Sequence, residues 1–174
     1  GSHPLYITPT DPAGNQSAQT QLGTWAIDTA APAAPSFGSV SQDTGISATD
    51  KITSDNTLTI AGAAGSAEPG TTIKVYDNTS GTPVLVGTAV VASNGSYSVT
   101  TSALSDGNHP LSITATDVAG NQSSPTSLGI WTIDTAVPTS PVVTSVSDDT
   151  GRSNSDKITS DNTLTVTGNA EPNS

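Results

Sequence analysis

Apolar and polar residues alternate along most of this 174-residue chain, in short runs rich in Val, Ile, Thr and Tyr and bounded by Gly, Pro, Asn and Asp. A period of two is the mark of a strand, whose side chains point in turn to opposite faces. No stretch carries the spacing of an amphipathic helix. Between residues 31 and 136 the pattern predicts seven strands, near 36–40, 57–61, 71–77, 84–92, 96–101, 111–116 and 128–133. Leu58 with Ile60, Ile73 with Val75, Tyr97 with Val99, and Leu111 with Ile113 each share one face, and these pairs are the predicted core.

The pattern also repeats, and the repeat decides the organisation. Asp11, Gly14, Asn15, Trp25, Ile27, Asp28 and Thr29 return at a constant offset as Asp117, Gly120, Asn121, Trp131, Ile133, Asp134 and Thr135. The stretch KITSDNTL at 51–58 returns unchanged at 157–164, after which Glu68 and Pro69 match Glu171 and Pro172 at an offset three residues shorter. The first copy therefore carries an insertion near Ala63 to Ser66. The expected organisation is the C-terminal part of a preceding repeat at 1–30, a complete repeat at 31–136, and the N-terminal part of a following repeat at 137–174.

Seven short strands in about 100 residues, with turns such as Ser93-Asn94-Gly95 and Asp106-Gly107, imply an all-β chain of tandem immunoglobulin-like sandwiches. With no cysteine, there is no disulfide across the sheets, no thiolate nucleophile and no Cys-held zinc. An odd number of alternating strands would place arrival and departure at opposite ends of each repeat. Tandem copies would then string into a rod, with short, Pro-bearing, semi-rigid joints at 28–32 and 134–138.

Charge narrows the partners. A formal net charge of −11 argues against nucleic acid, because phosphate binding needs a clustered positive field. No apolar run approaches the roughly 20 residues of a membrane helix, so no membrane insertion is expected.

On the predicted strand order the carboxylates sort to the two ends of the sandwich. Asp43, Asp50, Asp55 and Asp106 fall beside linker Asp134 at the outgoing end, and Glu68, Asp117 and Asn121 beside linker Asp28 at the incoming end. Asp11 repeats Asp117, and Asp149, Asp156 and Asp161 repeat the first loop set. Two carboxylates about 4 Å apart repel by about 4 kcal/mol at an effective dielectric of 20, and a hard cation reverses the sign. Calcium takes six to eight oxygens of the kind Asp/Asn/Gly loops supply, magnesium demands stricter geometry, and zinc lacks ligands here. The competing reading is that these residues only shape turns, where Asp caps amides and Gly supplies positive φ.

The ordered set of motifs is similar to the bacterial immunoglobulin-like extender repeats of giant surface adhesins, of the biofilm-associated and RTX types. Its carriers are D-x-A-G-N at 117–121, I-D-T-A-x-P from Ile133, the D-T-G and T-S-D-N-T-L-T stretches, and A-E-P-G at 67–70. The resemblance implies a non-enzymatic stalk on the outside of a bacterial cell, with calcium at the junctions and a role in attachment and biofilm formation. Its partners would be neighbouring repeats of the same chain, with any host or surface ligand bound elsewhere in the full-length protein. It further implies Asp28, Glu68 and Asp117 as ligands at one junction, and Asp134 with Glu171 at the next. Two departures bear on it: Gln42 stands where the next copy has Asp148, and the insertion abuts Glu68.

Three rivals compete with that reading. The paired D-T-G triplets at Asp43 and Asp149 resemble an aspartic-protease dyad, but lack apolar residues before each Asp and Ser or Thr after each Gly. Ser105, Asp106 and His109 lie too close together on one turn to act as a triad, and His109 reads as a residue packing by Pro110 at the start of a strand. A glycan, ice or cell-contact module would show a flat array of exposed Thr or aromatic residues on one sheet. Thr57 and Thr59 are candidates, though solvent-facing Thr is also what strands favour.

Overall fold

A computed structural model describes residues 1–41, 43–146 and 149–172. The chain forms two compact units, Gly1–Thr135 and Ala136–Ser174. The positions compared above, Gln42 and Asp148, lie outside the described residues.

The first unit opens with an antiparallel hairpin, β1 (Ser2–Ile7) and β2 (Thr20–Ala26), and continues into a two-sheet sandwich. One sheet holds β3 (Ser39–Val40), β5 (Thr59–Gly62) and β8 (Tyr97–Thr100), in that order. The other runs β4 (Ile52–Thr53), β10 (Thr126–Ile133), β9 (Gly107–Thr116), β6 (Thr72–Asp77), β7 (Val84–Val90). Among the described residues there is no helix.

The period-two faces meet between these sheets. Leu58, Ile60, Ile73, Val75, Val99, Leu111, Ile113 and Ile133 are essentially inaccessible, and Trp131 packs among them. Removing such aliphatic surface from water at about 25 cal/mol per Å² is the main force holding the layers together. Tyr97 also lies inside, and its hydroxyl donates to the Ser36 carbonyl at 2.7 Å, which ties the segment before β3 to the core. Burial pushes its phenol pKa up to about 12. Gly62 makes room for that ring, since a Cβ there would fall within 2.8 Å of Tyr97 side-chain atoms.

Among the described residues all seven predicted strands are present, with shifted ends, and an eighth joins them. That strand, β4, lies in the polar stretch before Ser54 and pairs parallel to β10. Its bonds run from the Thr132 amide to the Lys51 carbonyl at 2.8 Å and from the Asp134 amide to the Thr53 carbonyl at 3.0 Å. The expectation of an odd strand count is thereby corrected. It is the parallel pairing of β4 with β10 that makes the chain run the same way near the start and at the finish of the sandwich. β9 begins at Gly107, earlier than alternation suggests, because its first residues pair with Thr132 and Ile133 at the end of β10.

The terminal hairpins carry the same motifs without the same cover. Trp25 is 60% exposed, whereas its counterpart Trp131 is 5% exposed. Leu5, Ile7, Leu22 and Ile27 are likewise exposed where Leu111, Ile113, Leu128 and Ile133 are buried. The second unit is a hairpin of β11 (Val142–Val146) and β12 (Val166–Asn169). It holds a hollow of ≈ 490 Å³ lined by Val146, Leu164 and Asp149 among others, and among the described residues its sheet has two strands.

Candidate metal centre

The loop D-x-A-G-N builds the same small frame twice. In the sandwich, Asp117 Oδ1 accepts from the amides of Ala119 at 2.9 Å and Asn121 at 2.8 Å, and Oδ2 accepts from the Asn121 side-chain amide at 2.8 Å. Asp11 is held in the same way by Ala13 and Asn15. The Asn side-chain donors in first place, with the loop amides, outweigh the small desolvation and hold both carboxyls below the ordinary carboxylate range. Both groups are therefore anions at neutral pH. Gly120, at φ +92°, supplies the left-handed turn that closes the frame.

Asn121 then reaches the linker, its side-chain amide donating to the Asp28 carbonyl at 3.2 Å. Asp28 Oδ1 caps the Ala30 amide at 3.0 Å, fixing the bend ahead of Pro32. The outcome is an open depression of ≈ 230 Å³ lined by Asp28, Glu68 and Asp117, with Gly70 and Thr71 at its wall. The insertion beside Glu68 does not remove that residue from the depression. It folds into a turn docked on Asn94 and Gly95, with Gly65 N to Asn94 O at 2.9 Å and Ala67 N to Gly95 O at 3.1 Å.

Three carboxylates therefore share one depression, and among the described residues none of them has an ion pair. Nor do any three His, Asp or Glu side chains among the described residues close into a group that could hold a metal ion. The donor chemistry suits a hard cation, while the geometry is an open cradle. Glu68 is exposed at the edge of that cradle.

The loop set behaves differently. Asp43 Oδ2 accepts from the Lys51 amide at 2.9 Å, Asp50 Oδ1 from Ile52 at 3.1 Å, and Asp55 Oδ1 from the Thr57 amide and hydroxyl. Asp149, Asp156 and Asp161 do the same for Lys157, Ile158 and Thr163. Each of these carboxylates engages one oxygen with an amide of its own loop, which is turn chemistry. Turn capping leaves one thing unsatisfied: Oδ1 of Asp43 and of Asp149 is buried without a hydrogen bond. Lys51 and Lys157 take φ of 64° and 62° to complete these loops.

At the other predicted junction, Asp134 sits where β10 leaves the sandwich, and Glu171 in the second unit accepts from the Thr139 amide at 2.9 Å. The surface Thr residues are engaged within the fold, Thr57 by Asp55 and Thr59 by Thr100 at 2.9 Å. His109 meets the carbonyl of Ser105 rather than its hydroxyl, so no nucleophile–base pair forms there.

The sequence profile described as bacterial Ig-like domain matches residues 32–135. None of the curated proteins matches the chain. Among solved structures, the chain is similar to one described as a tetra-tandem repeat in the extending region of a large adhesion protein. The identity is 25% over 86% of this chain and 35% of that one, with a TM-score of 0.39. The chain thus spans about a third of the length of that structure.

Proposed function

The chain belongs to the bacterial Ig-like domain family, and on that premise we propose that it is a structural extender of a large secreted surface adhesin, a non-enzymatic spacer with calcium at its inter-repeat joints. The observation that carries this reading is the shared depression, which draws Asp28 from the linker, Glu68 from the turn before β6 and Asp117 from the loop after β9. These three come from segments far apart in sequence, and folding sets them around one depression with no basic side chain in its lining. Asp28, Glu68 and Asp117 would hold the ion, and Asn121 orients the linker by its bond to the Asp28 carbonyl. Bound calcium would supply the positive charge that lets the linker lie against the sandwich.

The repeat itself supports a mechanical role. Parallel β4 and β10 carry the chain onward in one direction, so copies joined by short linkers transmit tension along their strands. In this reading the protein is extracellular, its partners are neighbouring repeats of its own chain, and adhesion and biofilm formation are the work of the whole adhesin.

Extracellular calcium modules bind with dissociation constants of roughly 10⁻⁴ to 10⁻³ M. At about ten times that constant a single site adds about 1.4 kcal/mol to the folded state. Thermal unfolding in calcium is therefore expected to lie a few degrees above unfolding in chelator. Asp28→Ala with Asp117→Ala should abolish the difference, and magnesium should restore little of it. Superimposable melts of the unaltered protein with and without calcium would sink the calcium part of the proposal.

A further inference from the structure

We propose that His109 is a doubly protonated clasp, and that loss of one ring proton releases the segment leaving the sandwich at Thr135, making the joint pH-sensitive. His109 is 5% exposed, and both ring nitrogens are engaged. Nδ1 lies 2.8 Å from Asp77 Oδ2, and Nε2 lies 2.8 Å from the Ser105 carbonyl oxygen. A carbonyl oxygen only accepts, and so does an ionised carboxylate. Desolvation raises the Asp77 carboxyl, but hydrogen bonds from Thr79 and His109 together outweigh it, so the group sits below its ordinary range and is ionised. Both nitrogens must then donate, and only the imidazolium has two N–H groups.

Removing one proton breaks this arrangement at a particular place. The anionic Asp77 keeps the proton on Nδ1, which leaves a bare Nε2 lone pair 2.8 Å from the Ser105 oxygen. Two acceptors at that distance repel, so the Ser105 carbonyl must turn away. Its neighbour Asp106 is the residue that grips the outgoing chain, its Oδ1 accepting from the Thr135 amide at 3.0 Å and the Thr135 hydroxyl at 2.8 Å. The path from ring to linker thus runs through one hydrogen bond to Ser105, the peptide link to Asp106, and the two hydrogen bonds from Thr135.

The charged surroundings are simple. β6 contributes Asp77, the turn before β9 contributes Asp106, and β10 sets Trp131 opposite His109 with no ionisable side chain along its length. Asp77, whose carboxyl sits below its ordinary range, keeps its contribution until pH falls through that depressed range.

His3, the exposed counterpart of His109 in the preceding repeat, is a built-in reference. Nitrogen-15 NMR of the full chain should show His109 with both ring nitrogens protonated on the acid side. Exchange of the Thr135 amide, corrected for base catalysis, should rise about tenfold in step with the titration of His109 and not of His3, the equivalent of about one lost hydrogen bond. In His109→Gln the step disappears. Asp106→Ala leaves the ring titration intact and removes the step at Thr135, which covers the case in which the His109 variant does not fold. A Thr135 step that survives in Asp106→Ala, or a bare ring nitrogen on the acid side, overturns the proposal.

Discussion

Leu58→Ala is expected to remove about 2–5 kcal/mol of stability, and Leu164→Ala less than about 0.5 kcal/mol, although the two leucines end identical octapeptides. The difference lies wholly in what covers them. Leu58 is inaccessible, wedged between the two sheets, and its amide is held by the Thr101 hydroxyl at 3.0 Å. Truncating it loses the transfer energy of the removed methyl groups and leaves a cavity that packed strands cannot refill. Leu164, just ahead of β12, is 51% exposed, so truncation there forfeits little. Urea unfolding followed by the fluorescence of Trp131, the buried indole, reads the sandwich directly. Equal losses at the two positions would mean that the second hairpin is packed like the first, contrary to the structure described.

That pair of leucines also marks where sequence reading reaches and where it stops. Alternation placed Leu58, Ile60, Ile73, Val75, Tyr97, Val99, Leu111 and Ile113 on inward faces, and all of them are buried. A period of two is a local property, set by the pleat of each strand alone. β4 was missed because two residues make no period, and because its partner β10 lies far along the chain. Exposure of Trp25 beside burial of Trp131 is equally invisible in the motif, which is the same in both places.

The candidate site divides along the same line. The caps made by Asp50, Asp55 and Asp117 to amides two residues ahead are local, and Asp-rich turns announce them. The setting of Asp28, Glu68 and Asp117 around one depression is not local, and the predicted strand order puts all three at the incoming end. The same reasoning grouped Asp43, Asp50 and Asp55 at the outgoing end. Asp50 and Asp55 cap amides two residues ahead, whereas Asp43 accepts from the Lys51 amide eight residues on and keeps its Oδ1 buried without a hydrogen bond. The clasp at His109 escaped because Asp77 sits on a different strand and Ser105 contributes a backbone oxygen, which no side-chain motif records.

Gly95→Ala is expected to remove about 2–5 kcal/mol, and to do so by a route that ends at Glu68. Gly95 takes φ +82° in the turn between β7 and β8, where a side chain adds roughly 1–2 kcal/mol of left-handed strain. A Cβ there would also lie 2.8 Å from the Ala67 carbonyl oxygen, 2.8 Å from the Gly65 nitrogen and 2.9 Å from the Gly65 Cα. These are backbone atoms, which cannot swing aside, so the inserted turn must move bodily at a further cost of about 1–3 kcal/mol. Gly81→Ala is the control, because Gly81 has φ +76° but nothing within 4 Å of its Cβ, and only the strain remains. The displaced turn carries Ala67, and Glu68 follows it directly, so the variant should also blunt the calcium-dependent rise in melting temperature. Urea midpoints for the two variants separate the contributions. If Gly95→Ala and Gly81→Ala prove equally costly, the inserted turn is not docked on Asn94 and Gly95, and the route by which it positions Glu68 is lost with it.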